Sequence, residues 1–176
     1  NPNPFCADGP RQDEFLAEMR HEVFDGREGF LTVGEAPGIT PARNEHITDP
    51  ENGELDMLFL FEHLDADCED NTKWKPTKLG LPKLKEILNG QQNAVSKAGW
   101  ASLFFDNHAQ PRIVSRWGDD STKETREAAA KALALLLHMH RGTPYIYEGE
   151  ELGMTNAHFT KLDQYRDLES LNAYRQ

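Results

Sequence analysis

Two short runs constrain the fold more than anything else in the chain. "LDMLFLFEHLDAD" carries apolar residues at successive positions from Met57 to Phe61, and "WASLFF" repeats the pattern just before Asp106. A strand that faces water on one side alternates apolar and polar residues. One that is apolar at every position is covered on both faces, as in a parallel sheet. Parallel strands need long crossovers, and the intervening sequence supplies them. "LPKLKEILNGQQNAV" repeats Leu81, Leu84, Ile87 and Leu88 at helical spacing, with Gly90 as a weak point. Glu124 to Arg141 is an Ala- and Leu-rich helix stopped by Gly142.

The same alternation extends outward. Pro10 to Phe24 reads as a helix with Phe15, Met19 and Val23 four apart, ended by Gly26. "GFLTVGEAPG" gives a strand from Phe30 to Val33, followed by a polar loop with Pro41, Pro50 and Gly53 as breakers. "TPYIYEGEELG" is a fourth strand, and Asp163 to Tyr174 a final helix. A helix followed by alternating strands and helices builds an α/β fold with right-handed crossovers. Four strands are too few for a closed eight-stranded barrel, so the chain is either a small open sheet or half of a barrel. At 176 residues it forms one domain, 1–176, with no linker.

Composition narrows the partners. A net charge of -11 excludes a general nucleic-acid binder, which needs clustered Lys and Arg. The longest apolar run, Ala128 to Leu137, is too short for a membrane span. Cys6 and Cys68 are too few for a disulfide framework and suit a reducing, cytoplasmic setting. The opening "NPNPFCADGP" lacks an initiator Met and reads as the middle of a loop, so a fragment or processed chain is expected.

Each strand ends in polar residues: Gly34 and Glu35; Glu62 and His63; Asp106, Asn107 and His108; Glu148 to Glu151. In parallel α/β folds the carboxyl ends of the strands converge on the ligand. A carboxylate directly after a buried strand tends to be desolvated, which suits general-acid work. Glu35 is the best placed, with Gly34 permitting close approach and Pro37 stiffening the turn. An isolated Glu is as often an ion-pair partner; four polar strand ends in register favour a site.

"TVGEAPG", "FFDNHAQPRIVSRWGDD" and "GTPYIYEGEELGMTN" resemble the late motifs of the α-amylase superfamily of glycoside hydrolases, especially the α-glucosidases that include oligo-1,6-glucosidases. The resemblance extends through "FEHLDAD" and "DQYRDLESLNAYR" and so over nearly the whole chain. It implies a (β/α)8 TIM barrel, of which this chain is the second half, strands 5 to 8. It also implies a retaining mechanism in which two carboxyls flank the glycosidic bond. Glu35 would be the acid/base, His108 and Asn107 would bind sugar hydroxyls, and Arg112 would hold the loop or the sugar. The substrate would be an oligosaccharide, with no cofactor and no metal. Two departures matter. The family's transition-state-stabilising carboxylate directly follows the histidine, where this chain has Ala109. Its nucleophile lies in a motif like G-F-R-x-D, which nothing here matches. The expectation is therefore the parent activity, hydrolysis of terminal α-linked glucose, impaired in this chain. A non-catalytic carbohydrate-binding or scaffold relative is the alternative, and trehalose-phosphate hydrolases and sucrose isomerases share the late motifs. A half barrel would pair with its missing half or with itself.

Other patterns carry less. "DADCED", Asp65 to Asp70, lacks the Gly and Glu of a calcium loop and reads as a solvated acidic turn. His138 and His140 are two apart on a helix and make a poor metal pair. His63 suits a hydrogen bond to a neighbouring loop as well as a substrate contact. Trp100, Trp117, Tyr145 and Tyr147 suit core or sugar stacking, and Glu150 and Glu151 would fix their loop through ion pairs.

Overall fold

A computed structural model describes residues 8–52, 54–70 and 72–175. Cys6 and Gly53 lie outside them. Helix α1 (Gln12–Met19) continues as a wider π turn over Arg20–Phe24, and Gly26 ends it at φ 74°. Strand β1 (Val33–Glu35) follows, then α2 (Pro41–Thr48) and β2 (Met57–Phe59). The chain continues through α3 (Leu81–Ala94), β3 (Ala101–Leu103), α4 (Ile113–Trp117) and α5 (Lys123–His138). Strand β4 (Thr143–Pro144) and α6 (Leu168–Arg175) complete it. The four strands form one sheet in the order β1-β2-β3-β4, every pair parallel.

Several elements differ from the sequence reading. The first strand sits three residues later than expected. Phe30 and Leu31 are exposed because they precede the sheet. The link to β2 starts at Thr32, whose N–H and hydroxyl donate to Asp56 at 2.6 and 2.7 Å. The "polar loop" contains α2. Pro41 starts that helix rather than breaking it, since its missing N–H falls in the first turn, where no intrahelical bond is lost. The Thr40 hydroxyl caps α2 by accepting from the Arg43 N–H at 3.3 Å. Leu81 is exposed although Leu84 beneath it is buried. The fourth strand shrinks to two residues, with Tyr145 N–H still donating to Leu103 O at 2.7 Å. The last helix splits into a 3-10 turn at Leu162–Gln164 and α6.

Two apolar clusters attach helices to the sheet. Ile39 and Ile47 pack on Leu58 and Leu60, while Ile113, Val114 and Leu137 pack on Phe105. The opposite side chains of the same strands are aromatic. Phe59 meets Tyr145 and Phe104 edge to face at 4.6 and 5.2 Å, and Phe61 meets Phe104 at 5.5 Å. Strand alternation thus turns Leu58, Leu60 and Phe105 toward the helices and Phe59, Phe61 and Phe104 toward the inner face. Helix α5 begins with a reciprocal cap, Thr122 and Thr125 each bonding the other's backbone N–H at 3.1–3.2 Å. No helix among the described residues is long and apolar enough to cross a membrane.

Candidate active site

The aromatic layer floors a cavity of about 240 Å³ at the carboxyl ends of the strands. Glu35, Asp106, Asn107, His108 and Tyr147 line it together with the rings of Phe59, Phe61, Phe104 and Tyr145. Parallel pairing explains the convergence: Glu35 is aligned with Phe59, and β3 and β4 deliver their loops to the same end. A larger cleft, about 730 Å³, lies at the amino ends of the strands between Arg20, Asp56, Trp100 and Arg141. That is the end where parallel folds do not bind their ligands.

Gly34 sets the position of Glu35. A Cβ there would meet Leu58 Cδ2 at 2.6 Å and Leu55 Cδ1 at 2.9 Å, so any larger residue makes those two side chains shift for β1 to lie against β2. The close approach expected of Gly34 is therefore to two leucine side chains. The desolvation expected for Glu35 is absent: it is exposed, on the edge strand, with only β2 beside it.

The loop after β3 is tightly held. Asn107 lines the cavity, but its Oδ1 accepts from the Ala109 N–H at 2.8 Å. Its carbonyl oxygen is thus used within the loop, leaving the amide NH₂ for a ligand. Ala109 O accepts from Lys73 Nζ at 3.0 Å, and the same ammonium pairs with Glu169 on α6 at 2.6 Å. Ala109 is exposed and presents no polar side-chain atom. His108 is exposed beside it.

Of the two roles offered for Arg112, the structure places it on the loop. It does not line the cavity. Its guanidinium donates to Glu148 O at 2.5 Å and stacks over Tyr147 at 4.8 Å, and its backbone N–H donates to Asn156 Oδ1 at 2.7 Å. Arg112 therefore staples the β3 loop to the β4 loop.

Asp106 had been assigned no role. Its carboxyl is 1% exposed, and Oδ2 accepts from the Ile113 N–H at 3.4 Å, 4.0 Å from the Arg112 guanidinium. Oδ1 has no partner among the described residues. Burial raises the carboxyl above the ordinary range, against the pull of the Ile113 N–H and Arg112. Glu150 sits nearby, pushed up to about 7 chiefly by burial, with the Asp106 charge adding to the shift. Glu150 and Glu151 do not fix their loop by ion pairs as expected. They accept backbone N–H groups instead, from Tyr147 at 3.1 Å and Gly149 at 2.9 Å.

The remaining sequence candidates resolve as structural. "DADCED" is no solvated turn at its centre: Asp67 is buried, accepting from Arg116 at 2.6 and 2.8 Å and from Trp117 Nε1 at 2.9 Å. His63 makes neither contact expected of it. It is buried edge-on to Phe104 at 4.9 Å, neither ring nitrogen has a partner among the described residues, and burial pushes it down to about 4. His138 and His140 each bond a carbonyl one turn back, Ala134 O and Leu136 O. Tyr145 and Tyr147 reach the cavity, whereas Trp117 packs on Phe105. One group with metal-like spacing, Asp13, His46 and Glu54, lies on the α1 and α2 side. The Asn52 amide donates to both His46 O and His46 Nδ1, at 2.6 and 3.1 Å. That leaves the ring proton on Nε2, facing the carboxylates, while Arg43 already binds Asp13. The cluster is built for hydrogen bonding rather than for a cation.

The model of the alpha amylase catalytic domain matches residues 1–176. The chain belongs to the alpha-amylase family. An oligo-1,6-glucosidase from Parageobacillus thermoglucosidasius is 47% identical over 172 residues, covering 98% of this chain and 30% of that protein. A trehalose-6-phosphate hydrolase from Bacillus subtilis (strain 168) is 48% identical over 171 residues, again 30% of its length. The solved trehalose-6-phosphate hydrolase of Bacillus licheniformis superposes with a TM-score of 0.88 at 51% identity, over 96% of this chain and 30% of that one. This alpha-amylase family chain thus spans about 30% of the length of the relatives it matches, and those relatives are glycoside hydrolases. Its parallel strands and helices fold as the corresponding part of their TIM barrels.

Proposed function

We propose that this chain is the acid/base-bearing half of a retaining α-glucosidase barrel, and that its parent activity removes terminal α-linked glucose from short oligosaccharides. The observation that carries the reading is the shared cavity: Glu35, Asn107 and His108 meet there above an aromatic floor. Glu35 would protonate the leaving oxygen and then deprotonate water, and His108 with the Asn107 amide would bind hydroxyls. The nucleophile would come from the part of the barrel that this chain does not span. Exposed Glu35 fits that division, since the missing strands would close over the edge at β1.

Ala109 makes the site impaired in this reading. A carboxylate there would stabilise the charged transition state. Loss of one preorganised electrostatic group costs on the order of 10²–10³ in rate. The backbone around Ala109 is held at both its N–H and its carbonyl, so a restored side chain would enter a fixed frame. Ala109→Asp in the intact protein is expected to raise hydrolysis of an aryl α-glucoside by about 10²-fold or more. No gain rejects the impaired-enzyme reading. It favours instead a carbohydrate-binding relative that kept the fold, the second reading that Ala109 itself motivates.

A further inference from the structure

We propose that Asn52 is a self-modification site, its side-chain amide lost to attack by the next backbone nitrogen with His46 carrying the proton. The site lies in the turn between α2 and β2, away from the cavity, and does not depend on the sugar chemistry proposed there.

Asn52 is exposed and is followed in sequence by Gly53. Glycine has no Cβ to obstruct its own nitrogen, so an Asn-Gly pair closes readily to a cyclic imide. The Asn52 amide also faces an imidazole, Nδ2 donating to His46 O at 2.6 Å and to His46 Nδ1 at 3.1 Å. The other ring nitrogen, Nε2, lies 3.4 Å from Asp13 Oδ2 and 3.6 Å from Glu54 Oε1. Arg43 binds Asp13 and holds its carboxyl below the usual range, so a negative charge stands behind the ring. Carboxylate, imidazole and amide are thus in series, the order in which hydrolases orient a proton-carrying histidine. His46 is exposed like Asn52, so water reaches the turn.

The steps balance. The Gly53 nitrogen bonds to Asn52 Cγ and gives up its proton, which His46 Nδ1 takes. The Cγ–Nδ2 bond breaks as the ring returns that proton to Nδ2, and ammonia leaves. Water then opens the imide at either carbonyl, giving aspartate or isoaspartate. The Asp13 carboxylate stabilises the transient imidazolium, and no oxidant or cofactor is consumed. The product turns a carboxylate toward His46 O where the amide had a donor, so that bond is lost and the turn is released from the last turn of α2. The chain carries its own control. Asn89 also precedes a glycine but lies inside α3. Helical dihedrals turn the following nitrogen into the i→i−4 ladder, away from the side chain, so near-attack geometry is not reached.

The intact protein is held at neutral pH and sampled by peptide mapping with mass spectrometry, which reads amide loss and separates isoaspartate from aspartate. Asn52 is expected to convert about tenfold or more faster than Asn89. His46→Gln keeps a hydrogen-bonding side chain but cannot carry the proton. It is expected to slow conversion at Asn52 by about tenfold or more while Asn89 keeps its rate. If His46→Gln does not fold, Asp13→Asn replaces it, leaving the ring and removing the charge behind it, with an expected slowing of about threefold or more. Conversion at Asn52 no faster than at Asn89 overturns the site. Conversion at Asn52 that is unchanged or faster in the variant overturns the role of His46, and the proposal with it.

Discussion

Glu150 gives the sharpest physical test of the structure, because its environment works against its charge. The carboxyl accepts from the Tyr147 N–H at 3.1 Å, yet burial and the Asp106 charge raise it to about 7 from an ordinary 4.5. A carboxyl raised in the folded state contributes stability that is fully present below pH 4.5 and is lost as pH rises through about 7. Taken alone, that gap corresponds to about 3 kcal/mol. Glu150 is only partly buried, so solvent screening reduces the figure to about 1–2 kcal/mol. Replacing it by glutamine keeps an oxygen for the Tyr147 N–H and removes the charge. Urea denaturation of wild type and Glu150→Gln at pH 5, 6, 7 and 8 measures the difference. The two are expected to match near pH 5, with the glutamine variant gaining about 1–2 kcal/mol at pH 8. A gap that does not change with pH, or a glutamine variant that is the less stable at pH 8, refutes the claim that the β4 loop holds a desolvated carboxyl.

Two further substitutions probe how the rim is held. Gly34→Ala forces a methyl group against Leu58 and Leu55 and is expected to cost about 1–3 kcal/mol by thermal denaturation; a neutral result means that β1 can move off β2, and that Glu35 is not fixed by that contact. Arg116→Ala leaves buried Asp67 with the Trp117 N–H and the weak Cys68 thiol as its side-chain donors among the described residues and is expected to cost about 3–5 kcal/mol in urea denaturation; a loss below about 1 kcal/mol would mean that the pair is solvated.

Much of the sheet was legible because burial on two faces leaves a signature in single residues. Met57 to Phe61 and "WASLFF" could be assigned without any neighbour, and the structure pairs them in parallel as expected. The edges were read less well, for a physical reason. An edge strand has one partner, so β1 is defined by where Thr32 and Asp56 start the ladder and not by where the apolar residues lie. Helix α2 was missed because Pro41 has opposite meanings inside a helix and at its first turn. The preceding Thr40, a good cap, was the signal that distinguished them.

The site divides along the same line. Residue types and order brought Glu35, Asn107 and His108 to one rim, since strand ends in a parallel sheet converge whatever the loops do. What each polar atom is free to do depends on bonds made across the loops, and no local pattern encodes those. Asn107 Oδ1 is taken by the Ala109 N–H, Arg112 is taken by Glu148 O and the Tyr147 ring, and Asp106 Oδ1 is buried with no partner among the described residues. Within one short motif, Asn107 thus keeps only its NH₂ for a ligand and Arg112 is committed to the loops. Arg112 takes the loop-holding role, one of the two expected of it, while Asp106, given no role in the sequence reading, is closed off from solvent beneath the rim. At this rim the bonds already made select which groups remain for a substrate: exposed Glu35 and His108, and the Asn107 NH₂.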